Sequence, residues 1–194
     1  MDRDLREFTG DKFFSKCEIF ADILLEYNKI HNVSGIKTRD DVFENILDSI
    51  YPVRFLDLKD IKNAVDIGTG AGFPGLILAL YLPEVSFTLF EPILKKSAFL
   101  HLAKSKLGLK NVTIKSQRVE KSEPFEADLI TSRAVSDAKF LMTLTKEYIT
   151  PKTLMLLYKG SEVEKELSEI ENYDIIQKGK RRYLVVRFDS KFKP

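Results

Sequence analysis

The stretch Ala64-Val65-Asp66-Ile67-Gly68-Thr69-Gly70-Ala71-Gly72-Phe73-Pro74-Gly75 decides how this chain folds. Its first four residues are typical of a buried strand, and the glycines that follow predict a tight turn into a helix. Glycine suits the carboxyl end of a first strand because a ligand there lies against the backbone, where a Cβ would collide with it. Pro74 suits a first helical turn, in which its missing N–H is not needed. The stretch therefore predicts a strand, a ligand-binding loop and a helix.

Two kinds of nucleotide site have a loop of this sort. Gly70 to Gly75 satisfies the G-x-G-x-x-G pattern of dinucleotide-binding proteins. That pattern should begin directly after the strand, and here it begins two residues later than Gly68. Asp66 and the tighter spacing of Gly68, Gly70 and Gly72 instead resemble the first motif of class I S-adenosylmethionine-dependent methyltransferases. That class implies a Rossmann-like, mostly parallel seven-stranded sheet with helices on both faces, and it implies S-adenosylmethionine as the cofactor.

Glu91 is the second candidate cofactor ligand. It ends the predicted strand Val85 to Phe90, where a carboxylate can accept hydrogen bonds from two ribose hydroxyls. Both nucleotide sites need such an acid, so Glu91 supports a ribose-containing ligand only together with the glycine loop. The alternative is a carboxylate that pairs with Lys95 or Lys96.

The order of apolar patterns predicts the fold class. From Ala64 onward, short β-rich runs alternate with helical ones, which predicts an α/β protein with a parallel sheet covered on both faces. Helices are expected over Asp137 to Ile149 and Glu162 to Ile170, and a final strand pair turns at Gly179.

Before Ala64 the pattern is helical. Phe13, Cys17, Phe20, Leu24 and Tyr27 recur at steps of three and four, which predicts one apolar helix face. A second set is expected to widen that face: Ile19, Ile23 and Ile30. A further helix up to Pro52 is expected to be capped by Asp40 or Asp41. We therefore expect a single domain over residues 1–194, with a helical extension over 1–60 packed on a Rossmann-like core over 61–194.

Three cations follow successive predicted strands. They are Arg118 after the third strand, Arg133 after the fourth and Lys159 after the fifth. Because the carboxyl ends of parallel strands form the ligand-binding edge, we expect all three around one cleft, where they suit phosphates and purine acceptor atoms. Ion pairs with neighbouring acids are the alternative for each of them, and for Arg133 that acid is Asp137.

A basic stretch from Lys178 to Lys193 contains seven cations and one acid, Asp189. It can meet a phosphate backbone, or it can be an edge strand kept soluble by charge.

Composition excludes several classes of protein. The 194 residues are 44% hydrophobic and 31% charged, which is ordinary for a globular protein. One cysteine, Cys17, excludes a disulfide framework and is expected in the core, and neither His31 nor His101 has metal-ligand spacing, so we expect no metal. The longest apolar run, Leu76 to Leu82, is too short to span a membrane, and we expect a cytoplasmic protein with no membrane partner.

Taken together, the motifs resemble the bacterial small-subunit ribosomal RNA guanine-N7 methyltransferase G family, also called glucose-inhibited division protein B. The matching motifs extend over nearly the whole chain: Tyr27-Asn28-Lys29 with Asn32, Ile46-Leu47-Asp48-Ser49, Asp66 to Gly75, Arg118-Val119-Glu120, Ser132-Arg133-Ala134 and Lys159-Gly160. Two departures are Asn45, where the family often has His, and Ala71, where it usually has Pro. Asn45 indicates that any role of that His is dispensable.

The resemblance implies a function and a set of site residues. The product would be 7-methylguanosine at position 527 of 16S rRNA, near the decoding centre, with the 16S rRNA or the small ribosomal subunit as partner. The cofactor would contact Gly68, Phe73, Val119, Glu120 and Arg133. We expect Arg118 and Lys159 to serve RNA more than cofactor, and the protein to act as a monomer.

The implied reaction agrees with the residues present. Guanine N7 has a lone pair and no proton, so its methylation needs no general base, and positioning and electrostatics can suffice. Two alternatives stay open from the sequence alone: a nicotinamide-dependent oxidoreductase, and a non-catalytic RNA-binding module with a methyltransferase fold.

Overall fold

The computed structural model describes residues 6, 9–168 and 170–188. Within them, seven strands form one sheet in the order β3-β2-β1-β4-β5-β7-β6. The strands are β1 Asn63–Ile67, β2 Ser86–Phe90, β3 Val112–Lys115, β4 Leu129–Arg133, β5 Leu154–Lys159, β6 Tyr173–Lys178 and β7 Arg181–Arg187. The first five are parallel, and β7 runs antiparallel between β5 and β6. The predicted mostly parallel, seven-stranded sheet is confirmed.

The strand order places the ligand edge at β1 and β4. From β1 the chain adds β2 and then β3 on one side, and it returns to place β4 on the other side of β1. In register, Asp66 of β1 lies between Leu89 of β2 and Thr131 of β4. The connection after β1 leads to one side of that strand, and the connection after β3 leads to its other side. This reversal opens a crevice at the carboxyl ends of β1 and β4, where ligands of such sheets bind.

Helices cover both faces of the sheet, as predicted. They are α1 Asp11–His31, α2 Arg39–Ile50, α3 Gly75–Tyr81, α4 Leu94–Leu107 and α5 Ala138–Leu144. The first four pack into one core with one face of the sheet, and α5 packs into a second core on the other face. Among the described residues, no helix combines the length and apolar character that crossing a bilayer requires.

Helix α1 buries the predicted stripe, with Tyr27 partly buried, and of the second apolar set only Ile23 packs against the core. Phe13, Cys17, Phe20 and Leu24 are buried. The expectation that Ile19 and Ile30 widen the stripe is wrong, since they are 44% and 78% exposed. One side of α1 packs against α2 and α4, and the opposite side faces solvent.

Two helix boundaries differ from the expectation. The N-cap residue of α2 is Thr38, and not Asp40 or Asp41 as expected. Asp41 is the third residue of the helix and completes a capping box: the Thr38 hydroxyl accepts from the N–H of Asp41, and the Asp41 carboxylate accepts from the N–H of Thr38. The helix expected over Asp137 to Ile149 ends at Leu144, because the buried Thr145 donates its hydroxyl to the Leu141 carbonyl and closes the last turn.

The helix expected over Glu162 to Ile170 is a short 3-10 turn, Val163–Glu166. The Glu166 carboxylate points inward, where it accepts from Lys159 and from the N–H of Ala138. These tertiary contacts fix the segment in a shape that local propensity does not specify.

Candidate active site

The glycine loop is tied to the end of β2. The N–H groups of Gly68 and Thr69 donate to the Phe90 carbonyl at 2.9 and 3.2 Å. Gly68, Gly70 and Gly72 have φ values of +67°, +61° and +95°, a backbone region that glycine adopts without strain. The loop is therefore a fixed turn above β1.

The glycines have different roles. A Cβ on Gly75 would lie 2.5 Å from Oδ2 and 2.6 Å from Cβ of the buried Asp66, so protein packing requires this glycine. A Cβ on Gly68 would lie 2.6 Å from Val135 Cγ2, but that exposed side chain can move aside. A Cβ on Gly70 would have the Gly68 carbonyl, 3.9 Å away, as its nearest neighbour. Gly70 is thus the position where a side chain would project towards a ligand.

Asp66 lies beneath the loop and is fully buried. Its Oδ2 accepts from the N–H of Gly75 at 3.0 Å, and its Oδ1 accepts from the Thr131 hydroxyl at 2.6 Å. Burial raises the pKa of Asp66, and the hydrogen bond from Thr131 opposes that rise. The expectation that Asp66 contacts the cofactor is therefore corrected, because its carboxylate joins β1 to α3 and β4 under the site.

Glu91 holds the loop from the cleft side. Its Oε2 accepts from the N–H of Gly70 at 2.9 Å, and its Oε1 accepts from the N–H of Ile93 at 2.8 Å. The alternative of a pair with Lys95 is not observed, since the Lys95 ammonium donates to the Asn32 carbonyl. Each Glu91 oxygen keeps a lone pair for a further hydrogen bond.

Two adjoining clefts lie at this edge. The main cleft, of about 570 Å³, is lined by five of the predicted residues: Gly68, Gly70, Phe73, Glu91 and Arg133. A second cleft, of about 210 Å³, is lined by Gly68 and by Arg118, Val119 and Glu120. Gly68, Pro92 and Val135 line both clefts, so the two clefts lie side by side. Gly72 lines neither; a Cβ on it would lie 3.0 Å from Leu76 of α3.

Arg133 lines the main cleft. Its guanidinium stacks over the Phe73 ring, 5.0 Å from the ring centroid, and its Nη1 donates to Asn45 Oδ1 at 2.7 Å. Its acidic partner is Asp48 at 3.4 Å. The alternative partner Asp137 is wrong, because that carboxylate accepts from the N–H of Phe140 and caps α5. Burial lowers the pKa of Arg133, and Asp48 opposes that shift.

The segment after α1 forms one wall of the main cleft, which the residue pattern alone did not predict. The Asn28 side chain makes four hydrogen bonds to this segment. Its Nδ2 donates to the Ser34 and Ile36 carbonyls, and its Oδ1 accepts from the N–H groups of Val33 and Ser34. The signal for this role was Asn28 itself, within the Tyr27-Asn28-Lys29 motif of the family resemblance.

Lys159 is not brought to either cleft. Its ammonium donates to the Ser136 carbonyl and to Glu166, both at 2.7 Å, and its side chain is only 11% exposed. The expectation that three cations surround one cleft is therefore wrong for Lys159. Arg133 lines the main cleft, and Arg118 lines the second cleft beside it. Arg118 is exposed at the rim of the second cleft.

The basic C-terminal stretch is partly neutralised. Arg181 pairs with Asp48 at 3.0 Å, Arg182 with Glu164 at 3.7 Å, and Arg187 with Asp174. Strand β7 lies inside the sheet and β6 lies at its edge. Among the basic residues of this stretch that lie in described strands, the edge-strand interpretation therefore applies to Lys178 alone. Asp189, Lys191 and Lys193 lie outside the described residues.

Three features define the class I S-adenosylmethionine-dependent methyltransferase fold. They are the strand order β3-β2-β1-β4-β5-β7-β6, the glycine loop after β1 and the acid after β2. A solved S-adenosylmethionine-dependent methyltransferase from Aquifex aeolicus superposes with a TM-score of 0.59 at 18% identity, over 73% of this chain and 90% of that one. The likeness shows the fold and confirms the predicted class.

Sequence comparison then identifies the family. The family model described as rRNA small subunit methyltransferase G matches residues 14–191, and this chain belongs to that family. A relative from Aliarcobacter butzleri (strain RM4018) named ribosomal RNA small subunit methyltransferase G is 44% identical over 91% of either chain. A relative of the same name from Wolinella succinogenes is 46% identical over 90% of this chain and 89% of its own length. The family resemblance is confirmed.

Proposed function

We propose that this protein transfers a methyl group from S-adenosylmethionine to N7 of a guanine in 16S rRNA, at position 527. The observation that carries the proposal is the main cleft, which brings the glycine loop and Glu91 together with a stacked, hydrogen-bonded Arg133. Membership of the rRNA small subunit methyltransferase G family supports the substrate class. A ribosomal substrate places the reaction in the cytoplasm.

The residues present fit the cofactor. Position 70 has open space where a Cβ would be, and the Glu91 oxygens keep lone pairs for ribose hydroxyls. Gly68 lines both clefts, Phe73 lines the main cleft, and Val119 and Glu120 line the second cleft. S-adenosylmethionine supplies an electrophilic methyl group on a sulfonium when it is bound. Asp66 and Gly72 support the loop from inside the protein.

Arg133 is the residue we assign to the reacting base. The guanine N7 lone pair needs no proton removed, so the protein has to orient the base and limit its motion. Methylation leaves positive charge on the base, so the guanidinium serves best at O6 or at a phosphate, where a planar donor fork fits two acceptors. Arg118, exposed at the rim, is assigned to RNA, and Lys159 to holding the segment that leads into α5.

The division of the chain follows from these assignments. We assign the described residues from 61 onward to the Rossmann-like core, and those up to 60 to an extension that supplies one wall of the cleft through Val33 to Ile36 and Asn45. Both parts belong to one domain. We propose that the protein acts as a monomer.

The test of the reaction is a map of 7-methylguanosine in 16S rRNA from cells with and without this protein. Loss of the modification at position 527 in its absence, and restoration by purified protein with S-adenosylmethionine, is the expected result. RNA binding without methyl transfer would favour a non-catalytic module. A melting temperature raised by NAD and unchanged by S-adenosylhomocysteine would favour an oxidoreductase.

The test of the cofactor loop compares Gly70→Ala with Gly108→Ala. Both glycines have left-handed φ values, +61° and +65°, and the nearest neighbour of either Cβ is at least 3.9 Å away. Each substitution should therefore cost about 1 kcal/mol of stability for backbone strain. Only Gly70→Ala should weaken S-adenosylhomocysteine binding in calorimetry, because Gly108 ends α4 and lines neither cleft. Equal affinities for the two variants would remove Gly70 from the site.

A further inference from the structure

One face of α2 presents two polar side chains to Arg133. Asn45 and Asp48 are three residues apart in the helix, so they lie next to each other on its surface. Asn45 Oδ1 lies 2.7 Å from Arg133 Nη1, and Asp48 Oδ2 lies 3.4 Å from the same nitrogen. The extension and the end of β4 are joined here, between residues far apart in the sequence.

The contacts of Arg133 use only part of its guanidinium. Both hydrogen bonds go through Nη1, and the Phe73 ring packs beneath the plane. Within the described residues, no hydrogen bond is made by Nη2 or Nε. A guanidinium held at one nitrogen and along one face still has donors for a ligand in the cleft.

Asp48 is itself held from behind. Its Oδ1 accepts from the hydroxyl of the fully buried Tyr183 at 2.8 Å and from Arg181 Nε at 3.0 Å. Its Oδ2 faces Arg133. Because Arg181 remains on Oδ1 when the Tyr183 hydroxyl is removed, the contact between Oδ2 and Arg133 does not depend on Tyr183 alone.

We propose that Asn45 and Asp48 are positioning residues that aim Arg133 at the base, an inference that rests on the proposed function. Neither needs to touch the RNA or the cofactor. The polar atoms of Asn45 are already engaged, its carbonyl by Arg133 and its amide by the Asp41 carbonyl at 2.8 Å. The helical extension therefore sets the geometry of the reaction as well as forming a wall of the cleft.

Four variants separate positioning from support of the fold. Asn45→Ala removes the shorter hydrogen bond, and Asn45→Asp restores an acceptor of the same shape. Asp48→Asn removes the charge, whereas Tyr183→Phe removes a bond to the far oxygen and leaves the Arg133 side intact. Displacement of a reacting group by about 1 Å costs about a hundredfold in rate. We expect Asn45→Ala and Asp48→Asn to lower the single-turnover rate of methyl transfer at saturating cofactor and RNA about tenfold or more.

The matched variants should behave differently. Asn45→Asp should recover most of the rate, and Tyr183→Phe should lower the melting temperature while keeping the rate. Affinities for S-adenosylhomocysteine and RNA should stay within a few fold throughout. In a double-mutant cycle, Asp48→Asn should cost little once Arg133→Lys is present, because the two changes remove one interaction.

A measurement without turnover checks the same contact. Nitrogen-15 NMR of the guanidinium, assigned by comparison with Arg133→Lys, should show slow rotation of Arg133 Nη1 in the parent and in Tyr183→Phe, and fast rotation in Asn45→Ala. Parental rates and slow rotation in folded Asn45→Ala would overturn the inference, and if Asp48→Asn does not fold, the two Asn45 variants decide. A parent protein that transfers no methyl group would instead refute the proposed function.

Discussion

Gly75→Ala tests whether the glycine loop is held by packing against Asp66. Gly75 is the first residue of α3, and an added Cβ would lie 2.5 Å from Asp66 Oδ2, 2.6 Å from Asp66 Cβ and 2.6 Å from Leu89 Cδ2. All three residues are buried between β1, β2 and α3. A separation below 3.0 Å cannot persist, so α3 or Asp66 has to move.

The cost of that movement has two parts. Overpacking a well-packed core costs about 1–3 kcal/mol. Moving Asp66 also lengthens its 3.0 Å hydrogen bond from the N–H of Gly75, and weakening a hydrogen bond to a buried charged group costs about 1.5–3 kcal/mol. The sum is about 2.5–6 kcal/mol. For a protein of this size each kcal/mol lowers the melting temperature by about 2–4 °C, so we expect a fall of about 5–24 °C.

Urea denaturation of the parent, Gly75→Ala and Gly70→Ala measures the difference directly. Gly70→Ala, in the same loop but without a steric conflict, should lose only about 1 kcal/mol. The two variants should therefore separate clearly in their urea midpoints. If Gly75→Ala unfolds within about 1 kcal/mol of the parent, the contact with Asp66 does not hold the loop, and the reasoning from burial is refuted.

Two further predictions concern the cations. Lys159→Met should lower the free energy of unfolding by about 1–3 kcal/mol, because Glu166 and the Ser136 carbonyl lose their donor; an unchanged urea midpoint with weaker RNA binding would return Lys159 to the RNA-binding surface. Replacing Lys180, Arg181 and Arg182 with Gln should reduce the slope of log RNA affinity against log salt by about one unit, since both arginines already face acids. A reduction near three units would show that these ion pairs open onto phosphates.

Local patterns predicted the strands and the loop because both depend on neighbouring residues. The strands predicted from Ala64 and over Val85 to Phe90 lie within one residue of β1 and β2, and the turn at Gly179 joins β6 to β7 as expected. Glycine spacing and the acid after β2 likewise predicted two residues that line the main cleft, Gly70 and Glu91.

The partners of charged groups could not be predicted in this way. Arg133 pairs with Asp48 of α2 and Lys159 pairs with Glu166, contacts that depend on how separate elements pack. The expected partner, Asp137, is near Arg133 in sequence, but its carboxylate accepts from the N–H of Phe140 at the N-terminus of α5. The short Asp137 side chain caps the helix that follows it, and Arg133 pairs with Asp48 of a different helix. The sequence pattern does not show that this helix packs next to Arg133.

The helical extension packs against the rest of the chain around Phe73. Phe20 of α1 packs edge-on against Phe73 of the glycine loop at 5.4 Å between ring centroids, and against Phe99 of α4 at 6.0 Å. Removing α1 would expose Phe73, the ring on which the Arg133 guanidinium stacks. The extension thus covers one side of Phe73 and, through α2, holds the arginine on the other. A chain that begins at residue 61 would lose both supports of that arginine. We therefore expect the helical extension and the core to unfold together in one transition, and a separate transition for the extension would contradict this.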